Sequence, residues 1–314
     1  MDLVSILVPM YNVAEFLPRC MEYLLAQTWP NIEIVLINDG STDNTLQIAG
    51  SYAQKYDRVK LYSYPNGGIS AARNRALSHA LGDWIMFVDP DDYLEEEAVE
   101  HLIQEAFNNN LDIVQCGYRI DFKYFAYFLP SSGHKYVDSV EALHLMSRCD
   151  TFNQYPWGKL YARQTFEGIE FPEDVKMFED AYTIFKTFIN AGRVGAVSNR
   201  YYHYTQRSGS LTRNMSPENI YLLRQAYEYQ IAYLKEKLPE EVFDYDVMNY
   251  NTDMLLIYLL VVNGKKEEEH LFVPGDIDWK NIPFAPICRL SYNSLLGIAR
   301  LKLTDKILEK GNYD

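Results

Sequence analysis

The first third of the sequence alternates between short apolar runs and segments with helical periodicity, and this alternation constrains the fold more than any other feature. The apolar runs lie at residues 4–8, 32–37, 59–62 and 84–88, and a helical pattern follows each of the first three. Short, largely apolar strands that alternate with amphipathic helices are typical of a parallel sheet with helices on both faces. We therefore predict an α/β fold built on a mostly parallel sheet.

Each of these four strands is followed by acidic, amide or glycine residues. The clusters are Pro9-Met10-Tyr11-Asn12, Asn38-Asp39-Gly40-Ser41, Asn66-Gly67-Gly68 and Asp89-Pro90-Asp91-Asp92. Open α/β sheets bind their ligands beyond the carboxyl ends of the strands, where such loops meet. The spacing predicts one crevice lined by all four loops.

The net charge narrows the range of partners. The chain of 314 residues has 29 Lys and Arg against 43 Asp and Glu, a formal charge of −14. A protein that follows a nucleic-acid backbone needs a basic face, so this balance argues against a nucleic-acid binder. Hydrophobic residues make up 48% and charged residues 23% of the sequence, which excludes wholesale disorder.

Cysteine spacing and hydropathy indicate a soluble intracellular protein. No two cysteines form a CxxC pair, and we expect all four to be buried free thiols of a reducing compartment: Cys20, Cys116, Cys149 and Cys288. The longest apolar stretch, Met254 to Val262, is far shorter than the roughly 20 residues of a membrane-spanning helix.

The regular alternation ends after residue 118, and the second half has a different character. We predict strand-like pieces and a helix near 140–148, then a helix from about 178 and a strand pair near 194–197 and 201–204. Beyond residue 215 the pattern predicts helices at 218–237 and 241–263 and a last amphipathic helix that ends near residue 310. The predicted domains are 1–215, with halves 1–118 and 119–215, and a helical appendage at 216–314.

The cluster after the fourth strand allows two interpretations. Asp92 can cap the next helix, with Glu95 three residues later completing a capping box. That interpretation leaves Asp89 and Asp91 unexplained. Two close carboxylates repel each other unless a cation joins them, and oxygen ligands suit Mg²⁺ or Mn²⁺. The cluster therefore predicts either a helix start or a metal site.

The second and third clusters are also open to structural and functional interpretations. Asp39 lies at a turn, where it is either structural or an acceptor for a bound base or ribose. Asn66 and Gly67 favour a turn, but glycines before a helix also let backbone approach a ligand, and Arg73 follows in that helix. Neither GxGxxG nor a P-loop pattern is present, which argues against a dinucleotide-binding dehydrogenase.

Taken in order and spacing, these motifs resemble the GT-A glycosyltransferases of family 2. The matching segments are Val8-Pro9-Met10-Tyr11-Asn12, Ile37-Asn38-Asp39-Gly40-Ser41-Thr42-Asp43, Asn66-Gly67-Gly68-Ile69-Ser70-Ala71-Ala72-Arg73-Asn74 and Phe87-Val88-Asp89-Pro90-Asp91-Asp92. The similarity covers roughly residues 3–213. Asn38 stands where the family often has a second Asp.

The resemblance implies a nucleotide-diphosphate-sugar donor, usually UDP-linked, a divalent cation, Mn²⁺ or Mg²⁺, and inversion at the anomeric carbon. It implies that Asp91 binds the cation and that Asp89 contacts the cation or the ribose or sugar. The remaining implied donor-binding residues border the base, the ribose or the sugar: Pro9, Tyr11, Asn12, Asp39, Asn66, Gly67, Arg73 and Trp157.

In the second half the resemblance is looser. Glu179-Asp180 could simply open a helix, where carboxylates are favoured, but the resemblance implies that Asp180 is the catalytic base. His203 is either a further metal ligand, as the resemblance implies, or a half-buried strand histidine. Trp157 and the neighbouring tyrosines are expected to stack on sugar rings of the acceptor.

The predicted function is metal-dependent, inverting transfer of a hexose, galactose or glucose, from a UDP-sugar to a hydroxyl of a polysaccharide, lipid-linked or protein-linked glycan. The alternatives are a sugar-nucleotide pyrophosphorylase and a non-catalytic glycan-binding protein. The pyrophosphorylase chemistry requires a basic glycine-rich loop directly after the first strand, where this sequence has Pro9-Met10-Tyr11-Asn12. We expect a cytoplasmic protein, in contact with the inner face of the membrane at most peripherally. The predicted helices of 216–314 carry apolar stripes that must be buried. We favour burial against the catalytic domain over burial in a homodimer or on a membrane surface.

Overall fold

The computed structural model describes residues 2–121, 126–128, 133–206, 216–246, 248–249 and 252. Two compact units divide the chain. The first comprises residues 1–146 and 151–206, and the second comprises residues 147–150 and 207–314. The predicted boundary at residue 215 lies outside the described residues.

Strands and helices alternate through the first unit, as the sequence predicts. Ten strands are described: β1 (Val4–Met10), β2 (Ile32–Asp39), β3 (Val59–Tyr64), β4 (Trp84–Phe87), β5 (Tyr93–Leu94), β6 (Ile113–Asp121), β7 (Ala126–Phe128), β8 (Lys135–Asp138), β9 (Lys159–Ala162) and β10 (Arg193–Thr205). The helices up to residue 190 are α1 (Leu17–Leu25), α2 (Thr45–Lys55), α3 (Gly68–His79), α4 (Ala98–Asn109), α5 (Ser139–Ser147) and α6 (Glu179–Asn190), with a 3₁₀ turn at Arg163–Phe166.

The strands form one sheet in the order β3-β2-β1-β4-β9-β6-β10-β5, with β7 beside β6 and β8 beside β10. The first four strands along this order are parallel, so their carboxyl ends share one edge. Strand β9 then runs antiparallel to both β4 and β6. The amino end of β9 therefore lies at the same edge as the carboxyl end of β4, an arrangement that a purely parallel sheet would not give.

Strands β1 and β2 form the centre of the core, and every residue in both is buried. A strand that is buried on both faces reads as a nearly continuous apolar run, which explains why these two were visible in the sequence. Helix α1 covers one face with a stripe of Leu17, Cys20, Met21 and Leu24. Full burial of one such leucine stabilises the fold by about 1.5–3 kcal/mol.

The strand pair predicted near residues 194–197 and 201–204 is wrong, because one continuous strand, β10, runs from Arg193 to Thr205. The polar segment Ser198-Asn199-Arg200 resembles a turn but is absorbed as an irregularity. The register with β6 shifts between Ala196 and Arg200 and again before Tyr202. A bulge keeps a strand extended while it re-aims the side chains that follow. Beyond the shift, β10 carries Tyr202 and His203 toward the predicted site.

The described part of the second unit contains one long helix, α7 (Pro217–Lys237), which confirms the helix predicted at 218–237. Ser216 caps it, because its hydroxyl accepts a hydrogen bond from Asn219 N. The later predicted helices lie mostly or wholly outside the described residues, as do the apolar and basic stripes on them. In the described ranges, no helix combines the length and the apolarity that crossing a membrane requires.

Candidate active site

The four polar loops converge at the carboxyl edge of the parallel strands. Asn12 Oδ1, after β1, accepts a hydrogen bond from Thr42 N, after β2, at 2.8 Å. Arg73, on the helix that follows β3, pairs with Asp89, after β4, at 3.9 Å. Hydrogen bonds and ion pairs therefore link neighbouring loops at this edge of the sheet, where open α/β sheets bind their ligands.

The loop after β1 carries one exposed ring at this edge of the sheet. Pro9 is buried inside the strand, whereas Tyr11 is 52% exposed. Asn12 adopts a left-handed backbone conformation, with φ of 51°, and its backbone N–H donates to Ser41 Oγ at 3.1 Å. Of the implied donor-binding residues in this loop, Tyr11 has the ring available for stacking, and Asn12 fixes the shape of the loop.

Asp39 holds the glycine loop in place. Its carboxylate, only 3% exposed, accepts hydrogen bonds from Gly67 N at 2.9 Å and Gly68 N at 2.8 Å. Arg75 Nη1 donates to the same carboxylate at 2.8 Å, and Asn66 Nδ2 donates to the Asp39 carbonyl at 2.9 Å. The residue expected to hold uracil or ribose is thus already bound to protein, and it fixes the backbone that would approach a ligand.

The predicted capping box at Asp92 and Glu95 is wrong. Helix α4 begins only at Ala98, and Asp92 lies in a turn in which its N–H donates to the Asp89 carbonyl at 3.0 Å. The Asp92 carboxylate is 1% exposed and faces the other way, toward β10. There it accepts hydrogen bonds from Tyr202 Oη at 2.7 Å and from Thr205 N at 2.7 Å.

Tyr202 joins β10 to the acidic turn at two points. Besides its bond to Asp92, its hydroxyl accepts a hydrogen bond from Asp89 N at 3.2 Å. The ring is fully buried. One buried phenol therefore fixes both ends of the Asp89–Asp92 turn, and with them the direction of the two carboxylates expected to hold a cation.

The chemistry of this turn fits a divalent cation. Burial raises the pKa of Asp92 well above its usual range, and the charges of Asp91 and Asp89 raise it further, so negative charge is concentrated here. Within the described ranges, no three His, Cys, Asp or Glu side chains are grouped as a ready-made metal cage. Two carboxylates with further ligands from substrate phosphates and water are the usual way in which Mg²⁺ binds.

Arg73 connects the acidic turn to the two acids at the start of helix α6, Glu179 and Asp180. The guanidinium is 6% exposed, pairs with Glu179 and Asp89, and lies over the Phe171 ring at 5.3 Å. Burial opposes its charge, but the surrounding carboxylates, Glu179 first, outweigh burial and raise its pKa. A buried cation of this kind neutralises acids that would otherwise repel each other.

Asp180 is the second residue of helix α6, next to the Glu179 that pairs with Arg73. Phe178 precedes the helix with a left-handed backbone, φ 64°, and Asp180 Oδ1 accepts a hydrogen bond from Ala181 N at 2.8 Å. Burial raises the pKa of Asp180 to about 7, Glu179 raises it as well, and Arg73 opposes them. A carboxylate with a pKa near neutrality is suited to take up a proton during a reaction and release it afterwards.

His203 is 1% exposed and lies on β10. Its Nε2 is 2.5 Å from Glu95 Oε1, its Nδ1 is 3.2 Å from Asp121 Oδ2, and its ring stacks on Tyr93 at 4.2 Å. Both ring nitrogens are thus engaged by carboxylates. Binding of a metal by His203 requires one of these hydrogen bonds to be replaced, and its role as a ligand stays a prediction.

Trp157 is buried rather than open to a ligand, with 7% of its surface exposed. Its ring stacks on Tyr155 at 4.6 Å and on Tyr202 at 4.5 Å. A backbone bridge pairs it with Phe87, at the end of β4, so it lies directly beside the acidic turn.

Two residues that position this site were not singled out from the sequence. Arg75 anchors Asp39, and its place in the Arg73-Asn74-Arg75 segment was the available signal. Tyr202 is 110 residues from the acid it binds, and its place in the Tyr202-His203-Tyr204 segment was the available signal.

Comparison with known proteins agrees with this geometry. The model of a family described as glycosyl transferase family 2 matches residues 5–171. The uncharacterized glycosyltransferase EpsJ of Bacillus subtilis is 36% identical over 246 residues, which cover 74% of this chain and 69% of that protein. The cholesterol galactosyltransferase of Borreliella burgdorferi is 31% identical over 234 residues, 68% of this chain and 63% of that protein.

Among solved structures, the chain is similar to S. aureus TarS 1-349 in complex with UDP-GlcNAc. The TM-score is 0.61 and the sequence identity 25%, over 83% of this chain and 72% of that chain. The likeness extends the agreement from sequence motifs to the GT-A arrangement of strands and helices.

Proposed function

The chain belongs to glycosyl transferase family 2 and is a glycosyltransferase, and from this premise we propose that it transfers a hexose from a UDP-sugar to a glycan hydroxyl with inversion at the anomeric carbon. The observation that carries the proposal is the ion-pair arrangement in which buried Arg73 lies between Asp89 of the acidic turn and Glu179 beside Asp180. It brings a candidate donor-phosphate site and a candidate base to one edge of the sheet.

Asp180 is the proposed base. The acceptor hydroxyl loses its proton to the Asp180 carboxylate as its oxygen attacks the anomeric carbon, and the bond to the diphosphate breaks on the opposite face. With a pKa near 7, the carboxylate is ionised in a large share of molecules at neutral pH and still takes up a proton readily. Its backbone hydrogen bond to Ala181 N fixes the direction of one carboxylate oxygen.

Asp89 and Asp91 are the residues that would hold a divalent cation, with Mn²⁺ proposed ahead of Mg²⁺. When bound, the cation supplies neutralisation of the charge that develops on the departing diphosphate. Tyr202 and Asp92 keep the turn in one conformation, so the two carboxylates need little reorganisation to receive the ion.

The donor nucleotide is proposed to lie over the loops after β1, β2 and β3. Tyr11 stacks on the base, while Asn12 and Asp39 fix the loops around it, and Gly67 lets the backbone approach. Support for UDP comes from the TarS complex with UDP-GlcNAc. Galactose or glucose is the proposed sugar, and the cholesterol galactosyltransferase relative supports galactose.

The proposed setting is the synthesis of a cell-surface polysaccharide or another glycan, by a cytoplasmic protein that contacts the inner face of the membrane at most peripherally. Residues 216–314 are proposed to help hold the acceptor, with formation of a homodimer as their second proposed role. Truncation after residue 215 then reduces transfer to an acceptor more than hydrolysis of the donor.

The test is UDP release from a panel of sugar nucleotides with Mn²⁺, measured for the wild-type protein and for Asp180→Asn. We expect release from one UDP-hexose by the wild type and at least about a hundredfold less from the variant, the usual loss for a removed general base. Release from no donor would contradict the proposal and favour a non-catalytic glycan-binding role. Equal rates in the two proteins would remove Asp180 from the mechanism.

A further inference from the structure

An aromatic stack lies on the side of the acidic turn away from the nucleotide loops. It consists of Tyr155, Trp157, Tyr202 and Tyr204, with ring planes within 13° of parallel to Trp157 and centroids 4.5–5.5 Å from it. In the sheet order, β4 with its acidic turn lies between β3-β2-β1 and β9-β6-β10. The donor loops follow β1, β2 and β3, whereas the aromatic stack comes from the segment before β9 and from β10.

Burial falls off steeply along the stack. Tyr202 is fully buried and Trp157 is 7% exposed, whereas Tyr155 is 40% exposed. Of the described side chains in the first unit, the aromatic rings as exposed as this are Tyr11, Phe107 and Tyr155. Tyr11 lies in the loop after β1, on the side proposed for the donor. Phe107 packs edge-on against Trp84 at the amino end of β4, which is the opposite edge of the sheet. Tyr155 is therefore the exposed ring beside the acidic turn on the β9 side.

The loop that carries Tyr155 is fixed by a buried lysine. Lys159 Nζ donates to Asn153 Oδ1 at 2.6 Å and to the Tyr155 carbonyl at 2.6 Å. The same Asn153 Oδ1 accepts from Tyr155 N at 3.1 Å, so both the N–H and the carbonyl of Tyr155 are held. Burial lowers the pKa of Lys159 to about 7. Burying an amine is costly, and here its hydrogen bonds hold the backbone that carries a surface ring.

The inner end of the stack is joined to the reaction centre. The Tyr202 hydroxyl bonds to Asp89 N and to Asp92, so the stack and the acidic turn form one connected unit. Tyr118 packs edge-on against both Tyr155 and Trp157, at 6.2 and 5.1 Å, and completes the support. The exposed ring is therefore held at a fixed position relative to the cation-binding carboxylates.

We propose that the exposed face of Tyr155 is the stacking platform for a pyranose ring of the acceptor glycan. A pyranose presents a face of C–H groups with hydroxyls around its edge, which suits a flat apolar ring with a polar rim. Tyrosine offers this surface at low conformational cost, and the fixed loop reduces it further. Trp157, the residue expected to contact a sugar directly, supports the platform from beneath. This inference rests on the proposed transferase function.

The experiment compares Tyr155→Ala, Tyr155→Phe and Phe107→Ala, the last as a matched exposed ring on the opposite side of the sheet. Full-length protein is assayed for UDP release with the preferred UDP-hexose, alone and with a series of p-nitrophenyl hexopyranosides as acceptors. Tyr155→Ala should raise the KM for the accepted pyranoside about tenfold, while the KM for donor and the rate of donor hydrolysis stay unchanged. Tyr155→Phe should behave like the wild type, because the face of the ring remains, and so should Phe107→Ala.

An unchanged pyranoside KM in Tyr155→Ala would overturn the platform. Donor hydrolysis that no pyranoside accelerates in the wild type would also overturn it, while leaving the proposed function intact. Absence of UDP release from every donor would contradict the proposed function itself, and the platform with it. A loss of donor hydrolysis in Tyr155→Ala as large as the loss of transfer would show a structural role and count against the proposal.

Discussion

The pH dependence of glycosyl transfer follows from the surroundings of Asp180. Burial and Glu179 raise its pKa to about 7, and Arg73 opposes them. A base must be ionised to act, so the rate should fall about tenfold for each pH unit below 7 and level off above about pH 8. Replacing Glu179 with Gln removes the neighbouring negative charge and leaves the Arg73 cation with one acid fewer to neutralise. Both effects lower the pKa of Asp180.

The size of this shift can be worked from Coulomb's law. A unit charge about 7 Å away, at an effective dielectric constant of about 20, contributes about 2.4 kcal/mol, or about 1.7 pKa units. The midpoint of kcat against pH in Glu179→Gln should therefore lie about one to two units below that of the wild type. Glu173→Gln is the control, because Glu173 is an exposed acid that accepts a hydrogen bond from Asn74 Nδ2 at 3.2 Å, and it should leave the midpoint unchanged. Equal midpoints in wild type and Glu179→Gln, or a flat wild-type profile between pH 5.5 and 8, would refute the reasoning.

Four further predictions address the base, the loops and the metal. Asp180→Asn should abolish transfer yet retain UDP affinity by calorimetry, and lost UDP affinity with transfer retained would contradict it. Gly40 has a φ of +71°, and a Cβ there would lie 2.6 Å from Asn66 N, so Gly40→Ala should lower the free energy of urea unfolding by about 1–3 kcal/mol. Gly50→Ala, at a helix position with open space around it, should be neutral or slightly stabilising. Tyr202→Phe should cost about 1–3 kcal/mol and weaken activation by Mn²⁺, because buried partners lose their hydrogen bond. His203→Ala should reduce the preference for Mn²⁺ over Mg²⁺, and an equal Mn²⁺ response would make its role structural.

The parts of the fold that local patterns determine were predictable from the sequence. Strands β1 and β2 are buried on both faces, so their apolar runs were plain, and helix α7 carries its own serine cap. Strand β10 was not predictable as one strand, since its polar middle resembles a turn and only pairing with β6 keeps it extended.

The candidate site shows the same division. Asp89 and Asp91 come directly after β4, so their position at the edge of the sheet follows from the strand order, whereas Asp180 was indicated by the family resemblance alone. The partners of Asp39 and Asp92, by contrast, are decided by contacts between distant segments: Asp39 binds a glycine loop, and Asp92 binds β10 rather than a helix end. The burial of Trp157 depends likewise on two rings from separate segments. Sequence patterns indicate which side chains lie at the edge of the sheet, but not which of them already form hydrogen bonds within the protein.

The most direct test of the central claim is the configuration of the first sugar released from the preferred α-linked UDP-hexose, followed by proton NMR with water as the acceptor. If Asp180 acts as a base for a single displacement, the wild-type protein should release the β anomer first, and Asp180→Asn should release almost none. First release of the α anomer, or a rate unaffected by the substitution, would contradict the account.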